Sequence, residues 1–156
     1  MSMFFKTISL LLLFVSTASF FAFDAFAGSR QTVRADKSII EYDLELPHAE
    51  KFPLLVVLQG SGCESMAATG FAQSLPVLQV VGFAVLTLEK PGIHNGNVSG
   101  GCPKEYLERN TITQRVADYR QVIAQVRSDL NFQKHWNGSL MWIGGSEGGA
   151  VASLLS

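Results

Sequence analysis

The chain has 156 residues, a formal net charge of −1, 47% hydrophobic residues and 16% charged ones. That length holds one domain with a modest core. The composition excludes a disordered chain, and the near-neutral charge supplies no basic field, so nucleic acid is not an expected partner.

Residues 1–27 read as a secretory signal peptide. Lys6 supplies a thin positive start, Ile8 to Val15 an apolar stretch, and Ala25-Phe26-Ala27 an A-x-A cleavage site before Gly28. The rival is an uncleaved anchor running on through Phe20, Phe21 and Phe23. Ser16, Thr17, Ser19 and Asp24 interrupt it, whereas a span needs about 20 predominantly apolar residues. The expected organisation is therefore a leader over 1–27 and one folded domain over 28–156. The expected address is periplasmic or extracellular, with membrane contact only through the leader. An oxidising address bears on the two cysteines. Cys63 and Cys102 then pair as a disulfide, the alternative being two separate buried thiols. No Cys or His spacing points to zinc, and no cofactor motif is present, so neither metal nor cofactor is expected.

Past the leader there is no repeat, low-complexity tract or linker. Residues 31–35 read as a first strand. Residues 38–46 read as a better one, since apolar and charged residues alternate from Ile40 to Leu46 as in a half-buried strand near a sheet edge. Pro47 ends it, and His48 follows in a polar turn. Residues 53–58 are continuously apolar, with Pro53 at the first position where no ladder donor is needed. They read as a central strand buried on both faces. Gln59-Gly60-Ser61-Gly62-Cys63 follows directly. Residues 71–80 read as a helix restarted at Pro76, with Ser74 near its cap and Gly82 beyond its end. Residues 83–88 are another buried strand. Strands alternating with helices predict a mainly parallel α/β sheet with helices on both faces.

A long loop opens at Glu89-Lys90-Pro91-Gly92 and runs past His94 to Cys102. Thr111-Ile112-Thr113-Gln114 then has the capping-box pattern, and the helix behind it aligns Val116, Tyr119, Ile123, Val126 and Leu130 on one face. His135 lies in a polar stretch expected at the surface. Asn137-Gly138 turns the chain into a short apolar run over 139–143 that reads as a buried strand.

That strand leads into Gly144-Gly145-Ser146-Glu147-Gly148, a G-x-S-x-G pentapeptide with an apolar helix start behind it. Strand, sharp turn and helix are the context in which this pattern presents a nucleophilic serine. Side chains two residues either side of Ser146 would crowd its hydroxyl, and Gly144 and Gly148 have none. The helix start brings free N–H groups and a positive dipole end to the same place. An ordinary Gly-rich loop is the bland alternative.

In these residues the chain resembles the α/β-hydrolase family, over that family's first half. The strand ending at Gln59-Gly60-Ser61-Gly62 resembles the family's oxyanion strand and loop, with Gln59 where a His is common. Residues 82–92 resemble the next strand and its acidic-basic-Gly turn. Gly148-Gly149 is similar to dienelactone-hydrolase-like and prolyl-oligopeptidase-like members. The resemblance implies Ser146 as nucleophile, and oxyanion donors from the backbones of Glu147 and Ser61. It implies a small-molecule or peptide acyl substrate. It also places Cys63 and Cys102 in loops above neighbouring strands, where a disulfide would tie down the oxyanion loop. The Glu147 carboxylate is expected to meet solvent or a supporting partner.

The family's triad order is Ser, then an acid, then His. Beyond Glu147 this sequence has neither after Ser146, and His48, His94 and His135 all precede it. His94, in a loop expected to rim the site, is the one that would have to reach Ser146. The expectation is a hydrolase fold truncated after the elbow: a serine hydrolase acting on an ester, thioester or amide, incomplete in this chain. A non-catalytic remnant or binding module on the same scaffold is the second reading.

Overall fold

The computed structural model describes residues 29–96 and 100–156. The leader read over 1–27, with its cleavage site, lies outside the described residues. Five strands form one sheet: β1 (Ser29–Val33), β2 (Ile39–Glu45), β3 (Phe52–Leu58), β4 (Ala84–Leu88) and β5 (Trp136–Gly144). Their order is β1-β2-β4-β3-β5. β4, β3 and β5 are parallel, while β1 pairs antiparallel with β2 and β2 antiparallel with β4. The sheet is thus mixed, with a parallel part that carries the elbow.

β3 is paired on both edges, as its unbroken apolar run predicts. Leu54, Val56 and Leu58 join one core cluster with Leu86 and Leu88 of β4, and Leu55 and Val57 join a second with Val85 on the opposite face. The strand begins at Phe52, one residue before the expected start. Pro53 falls where the register with β5 shifts, so its missing donor costs no regular ladder bond. β1 sits two residues earlier than expected. Arg34 leaves it for a turn in which the Asp36 carboxylate accepts from Ser38 N at 3.0 Å.

Helices cover both faces. α1 (Leu75–Val80) lies on one side, behind short 3-10 turns at Met66–Ala68 and Ala72–Ser74. Ser74 stands at its N-cap but makes no side-chain cap bond. α3 (Ile112–Ser128), α4 (Leu130–His135) and α5 (Glu147–Ser153) lie on the other. Thr111 caps α3 by accepting from Gln114 N at 3.1 Å. The reciprocal half of the box does not form, because the Gln114 amide donates instead to Asp118 at 2.8 Å. Val116, Tyr119, Ile123 and Val126 are buried as their spacing predicts, but Leu130 is 79% exposed. The helix stops before it, and Asp129 caps α4 by accepting from Asn131 N and Phe132 N.

α2 (Lys104–Arg109) was not evident from apolar periodicity. Its signal is a Glu105–Arg109 ion pair four residues apart, at 3.4 Å. Asn137-Gly138 does not precede β5 but bulges it: Phe52 faces Trp136 while Leu54 already faces Leu140. The outer edge of β5 has no partner strand among the described residues, so Met141 and Ile143 are exposed and the strand is not buried as its apolar run predicts.

Candidate active site

The parallel strands end on one side of the sheet, and the Gly-rich segments meet there. Gly144 closes β5, Glu147 opens α5, and Ser146 lies between them with φ 53° and ψ −124°. A non-glycine residue held at positive φ in this way is strained, and such strain persists where the surroundings over-determine it. Two close approaches do so. A methyl group on Gly148 would lie 2.3 Å from the Leu58 carbonyl oxygen, and one on Gly144 would lie 2.5 Å from Gly148. The strand, the turn and the helix therefore pack backbone to backbone. Ser146 is exposed and makes no side-chain cap bond to α5, so its hydroxyl is not spent on the helix. The N–H of Glu147, first in the helix, has no intrahelical acceptor.

The loop after β3 comes up against this turn. A methyl on Gly60 would lie 3.4 Å from Ser146 Cβ and 3.3 Å from the Gly145 oxygen. Ser61 is exposed beside it. Buried groups hold the loop from below. Arg115, only 2% exposed, donates to the Gln59 carbonyl at 2.6 Å and to Glu147 Oε1 at 2.7 Å. Lys90 donates to the carbonyls of Gly60 and Gly62, and Gly62 N donates to the Tyr106 hydroxyl at 3.3 Å. The Gln59 side chain turns away from the cleft and donates to Leu88 O and Glu89 Oε2, both at 3.3 Å. It ties β3 to β4. The Glu147 carboxylate meets Arg115 rather than open solvent.

Burial dominates the electrostatics below the loop. It raises the Glu89 carboxyl above the usual range, against hydrogen bonds from Met66 N and Gln59 that lower it. It lowers the Lys90 ammonium, helped by nearby Arg115 and opposed by Glu64, Glu89 and Glu147. It pushes the Tyr119 hydroxyl up to about 12.

Cys63 and Cys102 are joined as a disulfide, with Cα atoms 5.2 Å apart. The bond ties the loop after β3 to the segment leading into α2. It closes a separation of 39 residues, so its loss should cost about 3–4 kcal/mol by the chain-entropy account. We expect non-reducing peptide mass spectrometry to show the Cys63–Cys102 link, and dithiothreitol to lower the urea midpoint. Two freely alkylated thiols in unreduced protein would refute the pairing.

None of the histidines reaches Ser146. His94 is held instead at β2, where its Nδ1 lies 2.8 Å from Glu41 Oε1, with β4 and β3 between that strand and β5. His135 Nδ1 lies 2.9 Å from the Glu50 carbonyl, and His48 is exposed after β2. A groove of about 690 Å³ lined by His48, Gln79 and Val80 lies at the opposite end of the sheet. Among the described residues no group of three or more His, Cys, Asp or Glu side chains is arranged to hold a metal.

Sequence reasoning passed over Arg115 and Tyr106. Arg115 had a signal: steps of four, three and four carry it through Tyr119, Val122 and Val126, all buried. A charge on that face needs buried partners.

No protein-family model matches the chain, and no curated protein matches it by sequence. Solved structures do. Est1E from Butyrivibrio proteoclasticus superposes with a TM-score of 0.58 at 17% identity, over 83% of this chain and 45% of its own. A cold-adapted esterase from an Arctic intertidal metagenomic library gives 0.62 at 14%, over 81% and 53%. Brefeldin A esterase, a bacterial homologue of human hormone-sensitive lipase, gives 0.58 at 16%, over 96% and 37%. The chain thus spans about half or less of the length of each. The strand order, the crossing helices and these neighbours agree: the chain has the α/β-hydrolase fold over the part of that fold it spans.

Proposed function

We propose that this chain carries the nucleophile of a periplasmic or extracellular serine hydrolase that cleaves an ester, thioester or amide bond. The observation that carries the reading is Ser146 itself: strained, exposed, uncapped and flanked by two glycines that only a backbone-to-backbone turn requires. In the reaction a base takes the Ser146 Oγ proton and Oγ attacks the acyl carbon. The N–H groups of Glu147 and Ser61 receive the oxyanion, and the leaving group departs with the proton. Water then attacks the acyl-enzyme and frees the acid. The close approach of the loop after β3, where a methyl on Gly60 would lie 3.4 Å from Ser146 Cβ, supports two oxyanion donors.

We assign the base to none of His48, His94 and His135, which are all engaged or remote. The same observation favours a second reading, a binding module on a hydrolase scaffold. The leader and the disulfide support export.

The test is the natural full-length product on short-chain acyl esters, beside Ser146→Ala. Loss of about 10³-fold or more in kcat supports the nucleophile, since oxyanion donors and binding alone leave only about 10³–10⁴ over water. Residues 28–156 alone should show no more than that residue of activity. Turnover unchanged by Ser146→Ala would overturn Ser146 as the nucleophile, and no turnover above background in the parent would favour the module.

A further inference from the structure

Lys90 is a charged side chain that the reaction above does not use, yet it lies under the site and is only 4% exposed. Its ammonium donates to two carbonyls of one short loop, Gly60 O at 3.2 Å and Gly62 O. It also lies 5.8 Å from the centre of the Tyr106 ring. Burying an ammonium is costly, and an apolar side chain of similar length would fill the space without that cost. What it does there is legible from the peptide geometry.

The described residues contain no cis peptide bond. In a trans peptide the C=O and the following N–H point to opposite sides. Holding the Gly60 carbonyl toward Lys90 therefore turns the Ser61 N–H away from the protein interior. A methyl on Gly60 would lie 3.4 Å from Ser146 Cβ, so the loop passes close beside the nucleophile, and we take the outward side of this peptide to face the cleft. The next N–H along is already committed, because Gly62 N donates to the Tyr106 hydroxyl at 3.3 Å. One peptide further, the grip on Gly62 O fixes the loop just before the disulfide at Cys63.

We propose that Lys90 is a positioning residue for the oxyanion hole: by gripping the Gly60 and Gly62 carbonyls from below, it aims the Ser61 N–H at the carbonyl that Ser146 attacks. This rests on the reading of Ser146 as the nucleophile. Lys90 touches no substrate; it acts through one backbone peptide. Burial and the nearby Arg115 lower the Lys90 ammonium, and Glu64, Glu89 and Glu147 oppose that shift.

A double-mutant cycle on the natural full-length product tests this, with kcat and KM measured on a short-chain acyl ester. Lys90→Met removes the grip. Ser61→Pro removes the N–H being aimed. One lost oxyanion donor costs about 10²–10³-fold in kcat. Ser61→Pro should fall in that range, and Lys90→Met should lower kcat about 100-fold with KM within about threefold. Lys90→Arg, which keeps a buried donor, should recover about tenfold of that loss. The double variant should be no slower than Ser61→Pro alone, because no N–H is left to aim. Should Lys90→Met not fold, Lys90→Arg carries the same cycle with Ser61→Pro. Full multiplicativity of the two effects would overturn the proposal, as would wild-type kcat in Lys90→Met. Ser146→Ala is run alongside. If it abolishes turnover while Lys90→Met does not change it, the Lys90 assignment fails and the nucleophile stands. If Ser146→Ala keeps full turnover, the nucleophile reading fails first.

Discussion

Replacing Gly148 by alanine should lose about 3 kcal/mol or more of stability, at the upper end of overpacking effects. The added methyl would sit 2.3 Å from Leu58 O, 2.6 Å from Gln59 O and 2.9 Å from Leu58 C. All three are backbone atoms, so no side chain can swing aside. The start of α5 and the end of β3 would have to separate, and the turn holding Ser146 at positive φ would go with them. Gly149 is the control. A methyl there meets only Gly144 O at 3.3 Å and Gly144 C at 4.0 Å. That mild crowding is set against a helix preference for Ala over Gly of about 1 kcal/mol. Gly149→Ala should therefore unfold within about 1 kcal/mol of the parent in urea. A Gly148→Ala protein that matched it would show the packing described here to be wrong.

Arg115→Met should cost about 3–5 kcal/mol, the range for breaking a buried pair from one side. The guanidinium side chain is 2% exposed and Glu147 is 27% exposed. Removing Arg115 strands the Glu147 carboxylate and leaves the Gln59 carbonyl without its donor at 2.6 Å. Removing the charge from Glu147 is gentler. In Glu147→Gln, Arg115 keeps Gln59 O, and the amide oxygen can still accept. Glu147→Gln should therefore lose less than Arg115→Met, and the double variant should be more stable than the two losses added together. Urea denaturation of the four proteins checks this. Equal losses in the two single variants would mean that the carbonyl bond contributes nothing.

The elbow was legible because its causes are local. A short apolar run, two glycines at fixed offsets and a helix start each constrain the backbone within a few residues of Ser146. The same holds for the Thr111 cap and for the apolar run that became β3. The disulfide was legible from the cysteine count and from the leader expected over residues 1–27. Leu130 was misread because periodicity alone does not show where a helix ends, and here the Asp129 cap starts a new one. The bulge at Asn137-Gly138 was misread as a turn before the strand, since a glycine at φ 88° serves either purpose.

The sequence by itself determined the type and order of most strands and helices, most of the residues that fill the core, and where a serine could be held in a strained turn. Those outcomes follow from backbone preferences and hydrophobic period, which act over a few residues. Only the tertiary structure decided what the buried charges do. Arg115 meets a carboxylate 32 residues away and a carbonyl 56 residues away. Lys90 reaches back 30 residues to Gly60. The exposed His94 is likewise placed by the fold, beside Glu41, 53 residues before it, instead of approaching Ser146. A buried charge must find partners wherever the fold brings them, and the fold brings them from across the strand order. No local pattern encodes that meeting, because it exists only once β4, β3 and β5 lie side by side.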